Sequence, residues 1–120
     1  MIQNDIESIP NHVHSRTYSV SMVYASFRCQ QEVNPALTNV ACLTVTYAPD
    51  KLLYDFGSLS TYLRSFEAEC MSLETCANRI LDDFLDHLKP VWVRVLIEQQ
   101  RAQGIEIRIE AQHASSICLA

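Results

Sequence analysis

The stretch that most constrains this chain is Ser72 to Leu88, SLETCANRILDDFLDHL. Leu73, Cys76, Ala77, Ile80, Phe84, Leu85 and Leu88 recur at intervals of three and four, the apolar stripe of an amphipathic helix. Arg79, Asp82, Asp83 and Asp86 fall on the opposite face. Ser72 stands where an N-cap belongs, and Lys89-Pro90 closes the segment with a cation and a breaker. Glu74 lies in the first turn, where the helix dipole favours a carboxylate. It reads either as a surface acid or as an anchor for a ligand.

The rest must supply a partner for that apolar stripe. With 120 residues the chain is long enough for one domain with a real core, and its two glycines and four prolines argue against a disordered or fibrous chain. The net charge of −5 lacks the electrostatic footprint of a nucleic-acid binder. No apolar run approaches membrane-spanning length, so no membrane partner is expected. The opening MIQNDIESIP has no basic region followed by an apolar one, so it does not read as a secretory signal. The five cysteines, at 29, 42, 70, 76 and 118, contain no C-x-x-C pair. An odd count without pairs suggests reduced thiols and a cytoplasmic location. Cys42, Cys70 and Cys76 fit core positions.

Tyr18, Val20, Met22 and Tyr24 alternate with Ser19, Ser21 and Val23, which predicts a half-buried strand. A polar stretch from Arg28 to Asn39, containing Cys29, Glu32 and Pro35, reads as a long connection able to carry function. Leu43, Val45 and Tyr47 alternate with Thr44 and Thr46 as a second strand, antiparallel to the first. After a turn at Ala48-Pro49-Asp50, Ser58 can cap a helix with the face Leu59, Tyr62, Leu63 and Phe66. Beyond Pro90, two further strands run through Val91 to Ile97 and Ile105 to Ile109, joined by a turn at Gln99 to Gly104. His12 and His14 lack an acidic or cysteine partner at ligand spacing and read as a solvated loop, and no metal is expected.

The order β-β-α-α-β-β predicts an α+β fold: an antiparallel four-stranded sheet with both helices on one face. One domain over 1–120 is expected, with 1–16 and 113–120 loosely ordered. Such a sheet has two open edges, so a homo-oligomer that covers them is expected.

Several short runs carry a resemblance. They are Ile6-Glu7-Ser8-Ile9-Pro10-Asn11, Arg16-x-Tyr18, Tyr47-x-Pro49-Asp50, Ser58-Leu59, Tyr62-Leu63, Ser65-Phe66, Glu74-x-Cys76-x-Asn78-Arg79-Ile80, Pro90 and Gly104-Ile105-x-Ile107. In order and with few gaps, they resemble the nitrile reductases of queuosine biosynthesis, which reduce 7-cyano-7-deazaguanine with NADPH. The resemblance implies the tunnelling fold, in which subunits share strands around a barrel, with sites at subunit interfaces. It implies NADPH as cofactor and a small purine- or pterin-like ligand. It places the base-anchoring glutamate on Glu74, whose carboxylate can accept two adjacent N–H groups of a purine-like ring.

Other positions that the resemblance implies are substituted. The histidine before the anchor is Leu73. The cysteine nucleophile falls near Gln31 or Glu32, with Cys29 the nearest thiol, so Cys29 is a displaced nucleophile candidate and Glu32 a substitute acid. The proton-donating aspartate falls on Asn39. The glutamate-serine-lysine-serine run becomes Asp55-Phe56-Gly57-Ser58, leaving Asp55 and Ser58 as substrate-binding candidates. The arginine-glycine-glycine run becomes Ala102-Gln103-Gly104, leaving Arg101 and Gly104 for the cofactor. Nitrile reduction needs a placed thiolate, a proton for the nitrogen and a cationic clamp. The substitutions therefore predict base binding with inefficient reduction. Two alternatives stay open: a non-catalytic tunnelling-fold binding or partner subunit, and a pterin or purine enzyme with different chemistry.

Overall fold

The computed structural model describes residues 6–114. Four long strands, β2 (Val20–Gln30), β3 (Thr38–Ala48), β5 (Trp92–Gln100) and β6 (Glu106–Ala114), form an antiparallel sheet in the order β2-β3-β5-β6. Two short strands, β1 (Ser8–Pro10) and β4 (Leu52–Tyr54), pair separately. Between β4 and β5 come α1 (Phe56–Arg64), a 3₁₀ turn at Ser65–Ala68 and α2 (Leu73–Leu88). The architecture is α+β, with the expected β-β-α-α-β-β order in its long elements. No helix among the described residues is long and apolar enough to cross a membrane.

One face of the sheet builds the core. Leu43, Val45 and Tyr47 on β3 and Val93, Val95 and Ile97 on β5 are buried, as period-two alternation requires. Leu59, Tyr62 and Leu63 of α1, Phe66, and Leu73, Cys76, Ile80, Phe84 and Leu88 of α2 join them in one cluster. The stripe read from residues 73–88 is thus the inner face of α2. Ser72 Oγ accepts the Thr75 N–H at 3.1 Å. At the other end Lys89 takes the left-handed C-cap conformation, φ 46°, and its ammonium donates to the Asp86 carbonyl.

β2 departs from simple alternation. Tyr24 faces Leu43 and Phe27 faces Ala41, so Ala25 and Ser26 together oppose Cys42. This is a β-bulge. It changes the parity of the inward positions: Val20, Met22 and Tyr24 before it, Phe27 and Cys29 after it. The strand therefore continues to Gln30 and β3 begins at Thr38, which shortens the connection expected over Arg28–Asn39 to residues 31–37.

Other expectations are corrected. Asp55, not Ser58, caps α1, its carboxylate accepting the Ser58 N–H at 3.0 Å. Residues 6–16 hold β1 and a buried Asn11, whose amide donates to the Asp50 carbonyl at 2.8 Å and accepts from the Tyr18 hydroxyl at 2.7 Å. His113 and Ala114, expected in a loose tail, pair with Val93 and Trp92. Residues 1–5 and 115–120, with Cys118, lie outside the described residues. Cys76 is buried as expected, but Cys70 is exposed.

Candidate functional site

The bulge decides the setting of Cys29. It is not the loop thiol expected beside Arg28 but a fully buried residue on β2, with Arg28 on the opposite, exposed face. The segment leading into α2 is strapped to the end of β2: the Gln30 N–H donates to the Glu69 carbonyl at 2.9 Å and the Met71 N–H to the Gln30 carbonyl at 3.1 Å. That strap brings the first turn of α2 against Cys29. The Cys29 thiol donates to the Met71 carbonyl at 3.4 Å, and the Asn39 amide Nδ2 approaches Cys29 Sγ at 3.8 Å.

A hydrogen bond from the Cys76 thiol and another from Asn39 hold the Cys29 pKa down to about 7 against the opposing effect of burial. Cys76 is pushed up, first because its proton is shared with Cys29 and then by desolvation.

Glu74 faces away from this buried pair. It is exposed in the first turn of α2 and borders a shallow cleft of about 380 Å³ with Thr75, Asn78, Arg79 and Asp82. The Asn78 amide donates to the Glu74 carbonyl at 2.9 Å. A carboxylate in the first turn is favoured by the helix dipole and presents two acceptor oxygens to solvent.

A second cleft, of about 440 Å³, lies between the β2–β3 connection and the β5–β6 turn. Gln31, Asn39, Gln99 and Arg101 line it. In that turn Gln103 and Gly104 both have positive φ, 66° and 76°. A Cβ on Gly104 would meet nothing within 4 Å, so its backbone conformation rather than crowding is what glycine serves there. Glu32 is exposed in the β2–β3 connection. Asp55 and Ser58 serve the start of α1, the Ser58 hydroxyl accepting the Glu7 N–H at 2.9 Å and donating to the Asp55 carbonyl.

Within the chain, then, Cys29 is tied to Asn39 and Cys76, Arg101 shares a cleft with Asn39, and Glu74 lines a different surface. The sequence reading missed Gln99, whose Nε2 donates to Val40 O at 3.3 Å and to Asn39 Oδ1 at 3.5 Å. Its only sequence signal is polarity, at the end of an apolar strand.

The fold has known counterparts. An archaeosine synthase QueF-Like crystal structure in the apo form superposes with a TM-score of 0.70 at 13% identity, covering 82% of this chain and 94% of that one. FolB from Vibrio cholerae, assigned as a dihydroneopterin aldolase, superposes with a TM-score of 0.59 at 11% identity, covering 80% and 98%. These likenesses establish the tunnelling fold. In sequence, residues 38–117 match the family described as QueF-like protein. The NADPH-dependent 7-cyano-7-deazaguanine reductase of Nitrosomonas europaea is 32% identical over 108 residues, which cover 90% of this chain and 77% of the relative. The enzyme of the same description from Syntrophus aciditrophicus is also 32% identical over 108 residues, covering 90% and 76%. The chain belongs to the QueF-like family.

Proposed function

We propose that this chain binds a purine-like base of the 7-cyano-7-deazaguanine type through Glu74, at an interface between copies of itself, and that it does not carry out efficient nitrile reduction. The observation that carries this reading is the enclosure of Cys29. Its sulfur is fully buried, and the side chains that hydrogen-bond it are those of Asn39 and Cys76. Attack on a nitrile forms a carbon–sulfur bond and drives a π pair onto nitrogen, which must then take a proton. The Asn39 amide holds a proton acceptor in place but cannot surrender a proton, and a missing general acid costs ~10²–10⁴-fold in rate.

The cofactor named for the relatives is NADPH, which carries several phosphates. Among the described residues lining the cleft at the β5–β6 turn, Arg101 is the one cation and the other polar groups are neutral. One guanidinium on an exposed turn is a poor match for that charge.

A second reading rests on the lowered Cys29 pKa: a thiolate that adds to the nitrile once the strap at Glu69–Met71 opens. Intact mass after incubation with 7-cyano-7-deazaguanine separates the two. The first reading expects no adduct and negligible NADPH oxidation. An adduct present in the wild type and lost in Cys29→Ala, followed by NADPH turnover, would restore the full reductase reading.

A further inference from the structure

We propose that Gln99 is a positioning residue for Cys29: by holding the side-chain oxygen of Asn39, it turns that amide so that its N–H group faces the sulfur. An amide has two ends of opposite polarity. The N–H end against sulfur favours the thiolate, whereas the C=O end favours the protonated thiol. Asn39 is buried, and which end it presents is set by what engages its other end.

That partner is Gln99. Its Nε2 lies 3.5 Å from Asn39 Oδ1 and 3.3 Å from Val40 O. Val40 O can only accept, so the Gln99 amide must present its NH₂ group there, and the same group then meets the oxygen of Asn39. Nδ2 of Asn39 is left pointing at Cys29 Sγ, 3.8 Å away. The donors thus run one way, from Gln99 through Asn39 to the thiol. Gln99 Oε1 is buried and finds no hydrogen-bond partner among the described residues. Buried polar atoms are normally satisfied, so an orientation that leaves this one unpaired is imposed by the two acceptors on the other end.

The groups facing Cys29 come from three elements. Asn39 comes from β3. Cys76, the titratable neighbour, comes from α2. The Met71 carbonyl comes from the strap and accepts the proton of the neutral form. Cys76 and Asn39 favour ionisation, and the Met71 carbonyl opposes it. Of these groups Gln99 hydrogen-bonds Asn39 alone among the described residues, so its influence on the thiol passes through that amide. The role deepens the part of the proposed function that concerns Cys29, but it does not depend on any nitrile chemistry.

The test is the pH titration of thiolate ultraviolet absorbance in the folded protein. Each variant is compared with the same variant carrying Cys29→Ala, which removes the signal of the other cysteines. In the wild type Cys29 is expected to titrate near 7. Gln99→Ala frees Asn39 and should raise that midpoint by about one pH unit. Gln99→Glu should raise it further, because a carboxylate captures the Asn39 N–H group and turns its oxygen toward sulfur. Gln99→Leu keeps the bulk and replaces Gln99→Ala if the smaller residue unfolds the strand end. Wild-type midpoints in Gln99→Leu and Gln99→Glu would overturn the proposal. A normal order of midpoints with no base binding would instead overturn the proposed function and leave this role standing.

Discussion

The Tyr62 hydroxyl donates to Asp83 Oδ2, tying α1 to α2 inside the core. Arg79 Nε meets the same oxygen at 3.0 Å from the preceding turn of α2. Burial, and then the hydrogen bond to Asp83, push the Tyr62 pKa well above the ordinary phenol range, so the hydroxyl stays a donor at any pH the fold survives. Tyr62→Phe keeps the ring and removes the donor, leaving a carboxylate oxygen short of one partner. It should cost about 1–3 kcal/mol of stability. Urea unfolding of the two proteins measures it, and an unchanged midpoint would show the tie contributes nothing.

Glu74 gives a binding prediction. Glu74→Gln preserves shape but replaces one acceptor oxygen with a donor, setting donor against donor at the ring edge. The loss should be about 1.5–3 kcal/mol of binding free energy, the scale of a charged hydrogen bond. Calorimetry with guanine or 7-cyano-7-deazaguanine is the measurement. Equal affinity in the two proteins would remove Glu74 from the site. Glu74 is exposed, so the same substitution should leave thermal stability nearly unchanged.

Among the described residues β2, up to the strap at Gln30, and β6 each have a strand neighbour on one side only, and such edges predict self-association. Val23 on β2 is 66% exposed and Phe56, beside it across an apolar groove with Leu59 and Leu63, is 74% exposed. Light scattering at micromolar concentration should give a symmetric oligomer, and a monomer would sink the idea.

The thiol pair predicts a stability curve with two signs. Cys29 titrates near 7 in the folded state against an ordinary 9.0, so over that window the unfolded chain binds more protons and stability rises with pH. Cys76 is raised from 9.0, so above that value the folded state keeps a proton the unfolded chain releases, and stability falls. Tyr47, pushed by burial from 10.0 to about 12, steepens the fall. Urea midpoints should therefore climb from neutral pH and then decline. In Cys29→Ala the climb should flatten, and a climb that persists unchanged would assign it to another group.

What could be read in advance follows physical rules that are local. The α2 stripe, its Ser72 cap and the alternation of β3 and β5 each depend on near neighbours, and all are found in the structure. The displaced features depend on partners far along the chain. Asp55 and Ser58 both suit the start of a helix, and only the docking of Glu7 onto the Ser58 hydroxyl distinguishes their roles. β1 and β4 are three residues each, too short to show a period. The bulge is the largest loss. Continuing the alternation of Val20, Met22 and Tyr24 points Ser26 and Arg28 inward, so the segment looks like a loop, and Cys29 looks exposed.

That bulge gives a pair of deletions with opposite outcomes. Ala25 and Ser26 both point outward and together oppose Cys42, so deleting Ser26 leaves one residue against one. Phe27 still faces Ala41, Cys29 still faces Asn39, and the thiol stays buried. Deleting Arg28 acts on the regular ladder beyond the bulge. It brings Cys29 to the outer face and turns Gln30 inward, because a one-residue shift exchanges the faces of a strand. Gln30 then carries an amide into the place of a thiol, at a cost of about 1–3 kcal/mol if it finds no partner. The readout is the reaction of Cys29 with a neutral thiol reagent, mapped by peptide mass because Cys70 is exposed and reacts as well. Removal of Ser26 should leave Cys29 as slow as in the wild type, and removal of Arg28 should make it as fast as Cys70. If loss of Ser26 also exposes Cys29, the bulge is needed to bury the thiol and does not merely accommodate an extra residue.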